Sequence, residues 1–506
     1  MNKKHFYAAV ILLLLLVVGT QTARATIYLS YSGWDDGAGN DPEVGDWDPL
    51  TKTGTLTQGV YETIQIMDNG ITLDGADHTA TGSGSGTGIS LAKRRYVTVK
   101  NLTVEGFLIG ISLDNWHPSD PDEHNGYNTI ENNTFSSVAT GINIGSSHWN
   151  TVTNNTVSTC HYGIHLAGSR NNTVTYNTVN SSSEYGIYLG QGMQGPVWVG
   201  SNENTLTNNT VTGVSTTGGI GIYIDLCLDN TLSSNTVSNC KDGINLSHSY
   251  SNIDYGNTLT TNNISNNYWG IHLYCSTYNS LTGNNVTDNA GGIWLDTSCI
   301  ENNLTNNTVL RNGPGIYLRI SSNSNTVTGN TASDNDTGII LSDSSDNTVY
   351  NNKFIDNTTQ ATVTGGSGNV FDLNGSGNYW SDYTGVDDGS PYPGTIRVAG
   401  DGIGDTLLPH AGVDIYPLMP TPEQAIEELI DKVEVINGNY GISNALDAKL
   451  ENALAALEAK NAGQRQDAIN KMQAFINAVE AQSGDKIPVE KADELIADAN
   501  YIISLL

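Results

Sequence analysis

A chain of 506 residues has room for more than one domain. Its formal net charge of −31 argues against nucleic acid or anionic membranes as partners, because both would repel it. A charged fraction of only 14% beside 55 glycines and abundant Asn and Thr suits repeated strands and turns, and is unlike a disordered polyelectrolyte.

The first 25 residues read as an address. Lys3 and Lys4 precede an apolar run over 8–18, and Ala23-Arg-Ala25 supplies a small-x-small cleavage signal. The run is short for a bilayer span, so a signal peptide cleaved after Ala25 is expected. No lipid-attachment Cys follows it, and the mature chain is expected to be secreted, periplasmic or on the cell surface. Residues 26–68 show no repeat; with Trp34 and Trp47 among Gly and Asp, they are expected to cap an end that would otherwise expose strand edges.

Residues 69–376 repeat themselves. Gly163-Ile-His-Leu, Gly186-Ile-Tyr-Leu, Gly270-Ile-His-Leu and Gly292-Ile-Trp-Leu belong to a Gly-Ile-x-Leu series that mostly recurs every 22 or 23 residues, with Gly88-Ile-Ser-Leu and Gly110-Ile-Ser-Leu as earlier members. Each unit also carries two Asn five residues apart, from Asn128/Asn133 and Asn150/Asn155 to Asn347/Asn352. A period of this size built from strand-length runs signals a solenoid. Stacked coils would place like amides above one another at about 4.8 Å, where each donates and accepts along the stack, and Asn tolerates left-handed turns. Leucine-rich repeats share the period but need far more Leu and a helix per unit, for which Thr151-Val-Thr and Thr173-Val-Thr leave no place. The fold class expected is an all-β right-handed parallel β-helix of about 12 coils.

The early coils (Gly70-Ile-Thr-Leu-Asp-Gly-Ala-Asp-His78 and Val97-Thr-Val-Lys-Asn-Leu-Thr-Val-Glu-Gly-Phe107) begin a resemblance that the closing segment completes. That segment, expected at 377–420, contains Gly377-Asn-Tyr-Trp380-Ser-Asp-Tyr383, Asp401-Gly-Ile-Gly-Asp405 and Asp414-Ile-Tyr-Pro-Leu-Met419. Over roughly 64–420 the chain resembles the NosD-like right-handed β-helix proteins, exported carbohydrate-binding or sugar-hydrolysis repeat domains. It departs from them in having Leu407-Leu408 where Pro-Tyr is usual. The resemblance implies an exported β-helix, and the family name suggests copper.

Residues 421–506 change register. Thr421-Pro422-Glu423 reads as N-cap, first-turn proline and acidic first turn. Ile426, Leu429, Ile430 and Val433 then fall at helical spacing. A second helix is expected from Ser443 to a stop at Gly463, a third over 468–479 and a fourth from Pro488, together a small antiparallel bundle. The stretch from Ala474-Phe-Ile476 to Gly484-Asp-Lys-Ile487 is similar to the FIMAH-type helical module, and attachment or spacing is its expected role.

In Gly-Ile-x-Leu the Ile and Leu face inward and x faces out. Reading x up the stack gives Asn143, His165, Tyr188, Tyr223, Asn245, His272, Trp294, Tyr317 and Ile340 on one wall about 40 Å long. Flat rings with polar edges suit sugar faces; the alternative is that these rings simply pack on one another. Two insertions, 114–127 with Trp116 and 190–203 with Trp198, flank the coils carrying Trp149, His165 and Tyr188 and are expected to wall a cleft. Asp114, Asp120, Asp122 and Glu123 are oxygen donors of the kind Ca²⁺ takes, without a defined loop spacing.

Glycoside hydrolysis needs two carboxylates roughly 5 to 9.5 Å apart. The outward Asp225 and Asp296 lie three coils, or about 14 Å, apart, and Asp296 neighbours Arg319. Asp74 and Asp114, two coils apart, are marginal. Copper would need convergent soft donors, and Cys160, His161 and His165 are the local cluster. Cys160 and Cys240 occupy equivalent coil positions; Cys275 and Cys299 lie on neighbouring coils, where either a disulfide or two small buried hydrophobes would fit. Binding of polysaccharide or glycan is the reading preferred. A polysaccharide-cleaving or epimerising enzyme, and a structural cell-envelope or adhesin protein attached through its helices, are the alternatives.

Overall fold

A computed structural model describes residues 26–39, 43–114, 126–194, 196–215, 218–249, 256–440, 445–458 and 463–506. The chain divides into two compact units. One runs to Asn374 and includes Trp380–Asp382; the other comprises Gly375–Tyr379 and Tyr383–Leu506.

The first unit is a right-handed parallel β-solenoid of about 13 turns. Each coil contributes one strand to each of three walls, of 15, 14 and 13 strands. A typical coil has a six-residue strand, Tyr162–Ala167, and two three-residue strands, Thr173–Thr175 and Thr178–Asn180. The long-strand wall begins with Ile27–Ser30, paired in parallel with Ile64–Ile66, which adds to the coils counted from the repeat. The cap itself consists of hairpins: Gly33–Asp35 turns back on Ile27–Ser30, and Gly45–Asp48 on Thr53–Leu56.

Inside each coil the apolar positions stack without exception of register. Ile142, Ile164 and Ile187 are fully buried register partners, as are Ile144, Leu166 and Leu189. Each such side chain stabilises the fold by about 1.5–3 kcal/mol through burial. The glycine of Gly-Ile-x-Leu also faces inward. A Cβ on Gly163 would stand 2.4 Å from both Val179 Cγ1 and the carbonyl oxygen of Gly186, so the long-strand wall can approach its neighbour only at a residue without a side chain.

The corners hold the stack in register. Asn150 Nδ2 donates to Asn172 Oδ1 at 2.9 Å, and that same oxygen accepts the backbone N–H of Asn150 at 2.9 Å. Asn172 repeats both bonds with Asn204. These amides are almost wholly buried. The left-handed residues are not the ladder asparagines but the ones just before them, such as Trp149, Asn154, Asn171 and Asn208. The preceding residue turns the chain, which frees the ladder Asn to aim its amide into the corner.

Two further columns appear. Asn267, Asn289, Asn312, Asn335 and Asn357 form a third amide ladder over the later coils. Ser147, Ser169 and Ser201 form a hydroxyl column in which Ser169 Oγ accepts the backbone N–H of Ser147 and Ser201 Oγ that of Ser169, and Cys227 Sγ accepts the N–H of Ser201 in the same way. All five cysteines are free thiols. Cys160, Cys227, Cys240 and Cys299 are buried; burial pushes the first and third up to about 11 and the other two up to about 12.

In the second unit, Asp414 is fully buried and accepts the backbone N–H groups of Asn378 and Tyr416, both at 2.8 Å. Four helices follow: α1 (Pro422–Tyr440), α2 (Asp447–Glu458), α3 (Gln464–Glu480) and α4 (Val489–Leu505). Thr421 and Gln424 cap α1 reciprocally, each side chain accepting the other's backbone N–H. Ile426, Leu429, Leu450, Met472, Phe475 and Leu495 share one buried cluster, with each helix packed on the next and α4 on α1.

Candidate functional site

The outward side chains of the long-strand wall line up coil by coil. His165, Tyr188, Tyr223, Asn245, His272, Trp294 and Tyr317 are successive register partners. A second outward column, from the residue before each Gly, runs Tyr162, Tyr185, Ile220, Asp242 and Trp269. Strict alternation would turn that residue inward. It faces out because Gly and Ile are both taken inside.

The earlier coils form a patch of stacked rings. His165 and Tyr188 lie 4.9 Å apart at 1°, Tyr188 and Tyr223 5.2 Å apart at 12°, and Tyr162 and Tyr185 5.4 Å apart at 19°. Their faces are therefore given to one another, and they offer edges and hydroxyls outward. Burial pushes His165 down to about 4 and Tyr223 up to about 12. Asp225, beside them, is also raised by burial; His248 Nδ1 at 3.5 Å works in the opposite direction.

The later coils form a charged patch. Asp242, 2% exposed, accepts Asn245 Nδ2 at 2.6 Å and faces His272 Nδ1 at 3.4 Å through the same oxygen, Oδ2. Burial alone would raise its carboxyl, but the hydrogen bonds from His272 and Asn245 hold it below its ordinary value. His272 Nε2 lies 3.9 Å from Asp296, which pairs with Arg319 at 3.1 Å. The guanidinium sits over Trp294 and Tyr317, at 5.8 and 5.9 Å from their ring centroids. The Trp269 and Trp294 rings are 3.7 Å apart. Sequence reading selected His272, Trp294, Asp296 and Tyr317 here and placed Asn245 on the same wall, but missed Asp242 and Trp269.

Asp225 and Asp296 lie on one column three coils apart, with Ser247 and Tyr274 between. Asp74 and Asp114 do not share a wall. Asp74 ends a short strand, Thr72–Asp74, and pairs with Lys100 at 3.2 Å, whereas Asp114 ends the long strand Ile109–Asp114. Gly70-Ile-Thr-Leu falls at another phase of the coil from Gly110-Ile-Ser-Leu, and the same Gly-Ile-x-Leu pattern serves two walls. The hairpin Gly192–Gln194/Val197–Val199 presents Trp198, 60% exposed. Gln194 Nε2 reaches His148 at 3.1 Å, and Ser146 Oγ donates to the Met193 carbonyl at 2.9 Å, so the hairpin folds back over earlier coils. Trp149 stands at a corner, stacked on Tyr127 at 5.7 Å, which in turn stacks on Tyr96. Trp116, Asp120, Asp122 and Glu123 lie outside the described residues, as do residues 1–25.

A copper centre does not fit the Cys160, His161 and His165 cluster. Cys160 is buried with its thiol on the Ser158 carbonyl, His161 is engaged by Ser183 and Glu184, and His165 stacks on Tyr188, so the three point apart. Among the described residues no three His, Cys, Asp or Glu side chains are grouped to hold a metal ion, and no helix is long and apolar enough to cross a membrane.

Comparison with known proteins gives three family matches. Residues 254–385 match the family described as periplasmic copper-binding protein (NosD), residues 59–160 and 87–257 the right handed beta helix region, and residues 426–504 the FIMAH domain. No curated protein matches the chain. Among solved structures, the A-module of the Azotobacter vinelandii mannuronan C-5 epimerase AlgE6 is 12% identical at a TM-score of 0.40, covering 69% of this chain and 91% of that one. A double mutant of the periplasmic alginate epimerase AlgG is 16% identical at 0.39, covering 68% and 84%. PfbA, a surface adhesin of Streptococcus pneumoniae, is 12% identical at 0.39, covering 71% and 90%. By its repeats, its walls and these matches, the chain is a parallel β-solenoid with a C-terminal helical region, whose segments match the NosD, right handed beta helix and FIMAH family models.

Proposed function

We propose that the chain is an exported protein that binds polysaccharide or glycan along the outer long-strand wall. One observation carries this reading: polar-tipped rings and hydrogen-bonding groups run without a break from His165 to Tyr317, one rung per coil. A polymer laid along the axis would meet a rung about every 4.8 Å, close to the length of one sugar unit. The earlier patch offers ring edges and hydroxyls, and the later patch offers carboxylates, an imidazole and indoles. Trp198 on its hairpin and Trp149 at the corner extend the reading to the coils below.

Glycan-array and pull-down binding of the intact chain tests the wall. Binding is expected to be lost in Trp294→Ala and reduced in Trp198→Ala; a glycan held equally by both variants would remove this face from the proposal. Cleavage or epimerisation is a second reading, favoured by the series Asp242–His272–Asp296, which holds two carboxylates either side of one imidazole. New reducing ends, unsaturated products or inverted sugar centres after incubation with neutral and acidic polysaccharides would establish it.

A further inference from the structure

Four side-chain atoms of the later patch are buried without a hydrogen-bond partner: Asp242 Oδ1, Asn245 Oδ1, His272 Nε2 and Trp294 Nε1. They belong to three successive coils: Asp242 and Asn245 share a strand, His272 follows on the next and Trp294 on the one after. Asp242, Asn245 and Trp294 are each more than nine-tenths buried. Buried polar atoms are seldom left unmatched by protein groups, and several in one place point to a site for a polar ligand. The nearest opposite charges do not supply it. Lys241 Nζ is 3.8 Å from Asp242 Oδ1 and Asp296 is 3.9 Å from His272 Nε2, both beyond hydrogen-bonding distance.

The Trp269 indole borders this place, its ring 3.7 Å from that of Trp294. It is the register partner of Asp242 on one side and of Gly291 on the other. A Cβ at Gly291 would meet the Trp269 ring at 2.5 Å and Trp294 Nε1 at 2.7 Å, so the glycine leaves the recess that both indoles share. Tyr268 meets the Trp269 ring edge-on, 4.4 Å between centroids.

Resting on the proposal that this wall binds glycan, we infer that Trp269 is a lid over a subsite for one neutral sugar unit. A hydroxyl both donates and accepts, so adjacent hydroxyls can give their protons to Asp242 Oδ1 and Asn245 Oδ1 while a ring or hydroxyl oxygen accepts from the indole N–H of Trp294. His272 Nε2 takes either role. An acidic sugar fits poorly. Its carboxylate can only accept, it would face Asp242 and Asp296, and Arg319 is already committed to Asp296.

The test is calorimetric and fluorescence titration of the intact chain with neutral and with uronate oligosaccharides, repeated on Asp242→Asn and Trp294→Phe. The first keeps the shape of Asp242 and the second removes the indole N–H while keeping an aromatic ring; thermal melting checks that each is folded. Neutral oligosaccharides are expected to bind, to shift tryptophan emission as Trp269 moves, and to lose roughly tenfold in affinity in each variant. Neutral binding that is unchanged in both folded variants, but lost in Trp294→Ala, would overturn the subsite and leave the glycan-binding wall standing. Preference for uronates would overturn the neutral assignment. Failure of the chain to bind any oligosaccharide, with ordered water alone filling the recess, would overturn both.

Discussion

The solenoid and the helical module meet the same backbone requirement in opposite ways. Each helix closes its hydrogen bonds within itself and needs neighbours only for its apolar stripe, as Phe475 and Leu495 show. A coil closes almost none internally. Its strands, its buried amides and its Ser hydroxyls all bond to the coils on either side. The module should therefore respond mainly to losses of apolar volume, whereas the solenoid should be as sensitive to a lost polar atom.

The sharpest way to break that contrast is Asn177→Ala beside Phe475→Ala. Asn177 Nδ2 donates to Asn209 Oδ1 and to the carbonyls of Val152 and Thr175, and its Oδ1 accepts from Asn155. Truncation strands buried groups on both neighbouring coils and should cost about 3–5 kcal/mol, matching the cavity left by Phe475→Ala. Urea midpoints of the two transitions measure it. If Asn177→Leu were as stable as the native chain, apolar packing rather than amide bonding would hold the corners.

The next effect is on pH. The folded chain holds His165 down at about 4, whereas an unfolded chain protonates it near 6.5. The stability it contributes is thus complete above pH 6.5 and is lost as pH falls toward 4, on the order of 3 kcal/mol. His165→Phe should flatten that part of the stability profile. A smaller loss, roughly 1–3 kcal/mol, is expected for Gly163→Ala, where the new methyl meets Val179 and the Gly186 carbonyl. Smallest is Thr421→Ala, about 1 kcal/mol, read as faster amide exchange in the first turn of α1 with the solenoid amides unchanged.

Period and composition made the solenoid legible, because a repeat of strand-length runs has few other solutions. The two Asn columns were legible for the same reason. The third was also present in the spacing Asn257, Asn262, Asn267, but it begins only in the later coils and the earlier ones place Cys160, Ser182 and Cys240 there. The hydroxyl column was hidden by the exchange of Ser for Cys227 and Cys299. Asp242, Tyr162, Tyr185 and Trp269 were missed because period-two alternation fails where a glycine sits inside. Asp74 and Asp114 were grouped because a four-residue motif carries no mark of the wall it belongs to. The ring column was visible in composition, yet its near-parallel stacking depends on coil rise and rotamer, which only coordinates supply.

The amide columns also point one way. Asn150 gives its hydrogen to Asn172, Asn172 to Asn204, and so on to Asn347, which gives to Asn369. The first donor in this line is the plain backbone N–H of Val97, on Asn128, and that of Leu102, on Asn133, heads the parallel column. A protein engineer could therefore lengthen the rod by splicing duplicated turns into it in native orientation, each new amide finding a waiting oxygen ahead and a proton behind. An inverted turn would set oxygen against oxygen at one seam and hydrogen against hydrogen at the other. The rod is extensible, but only as a vector.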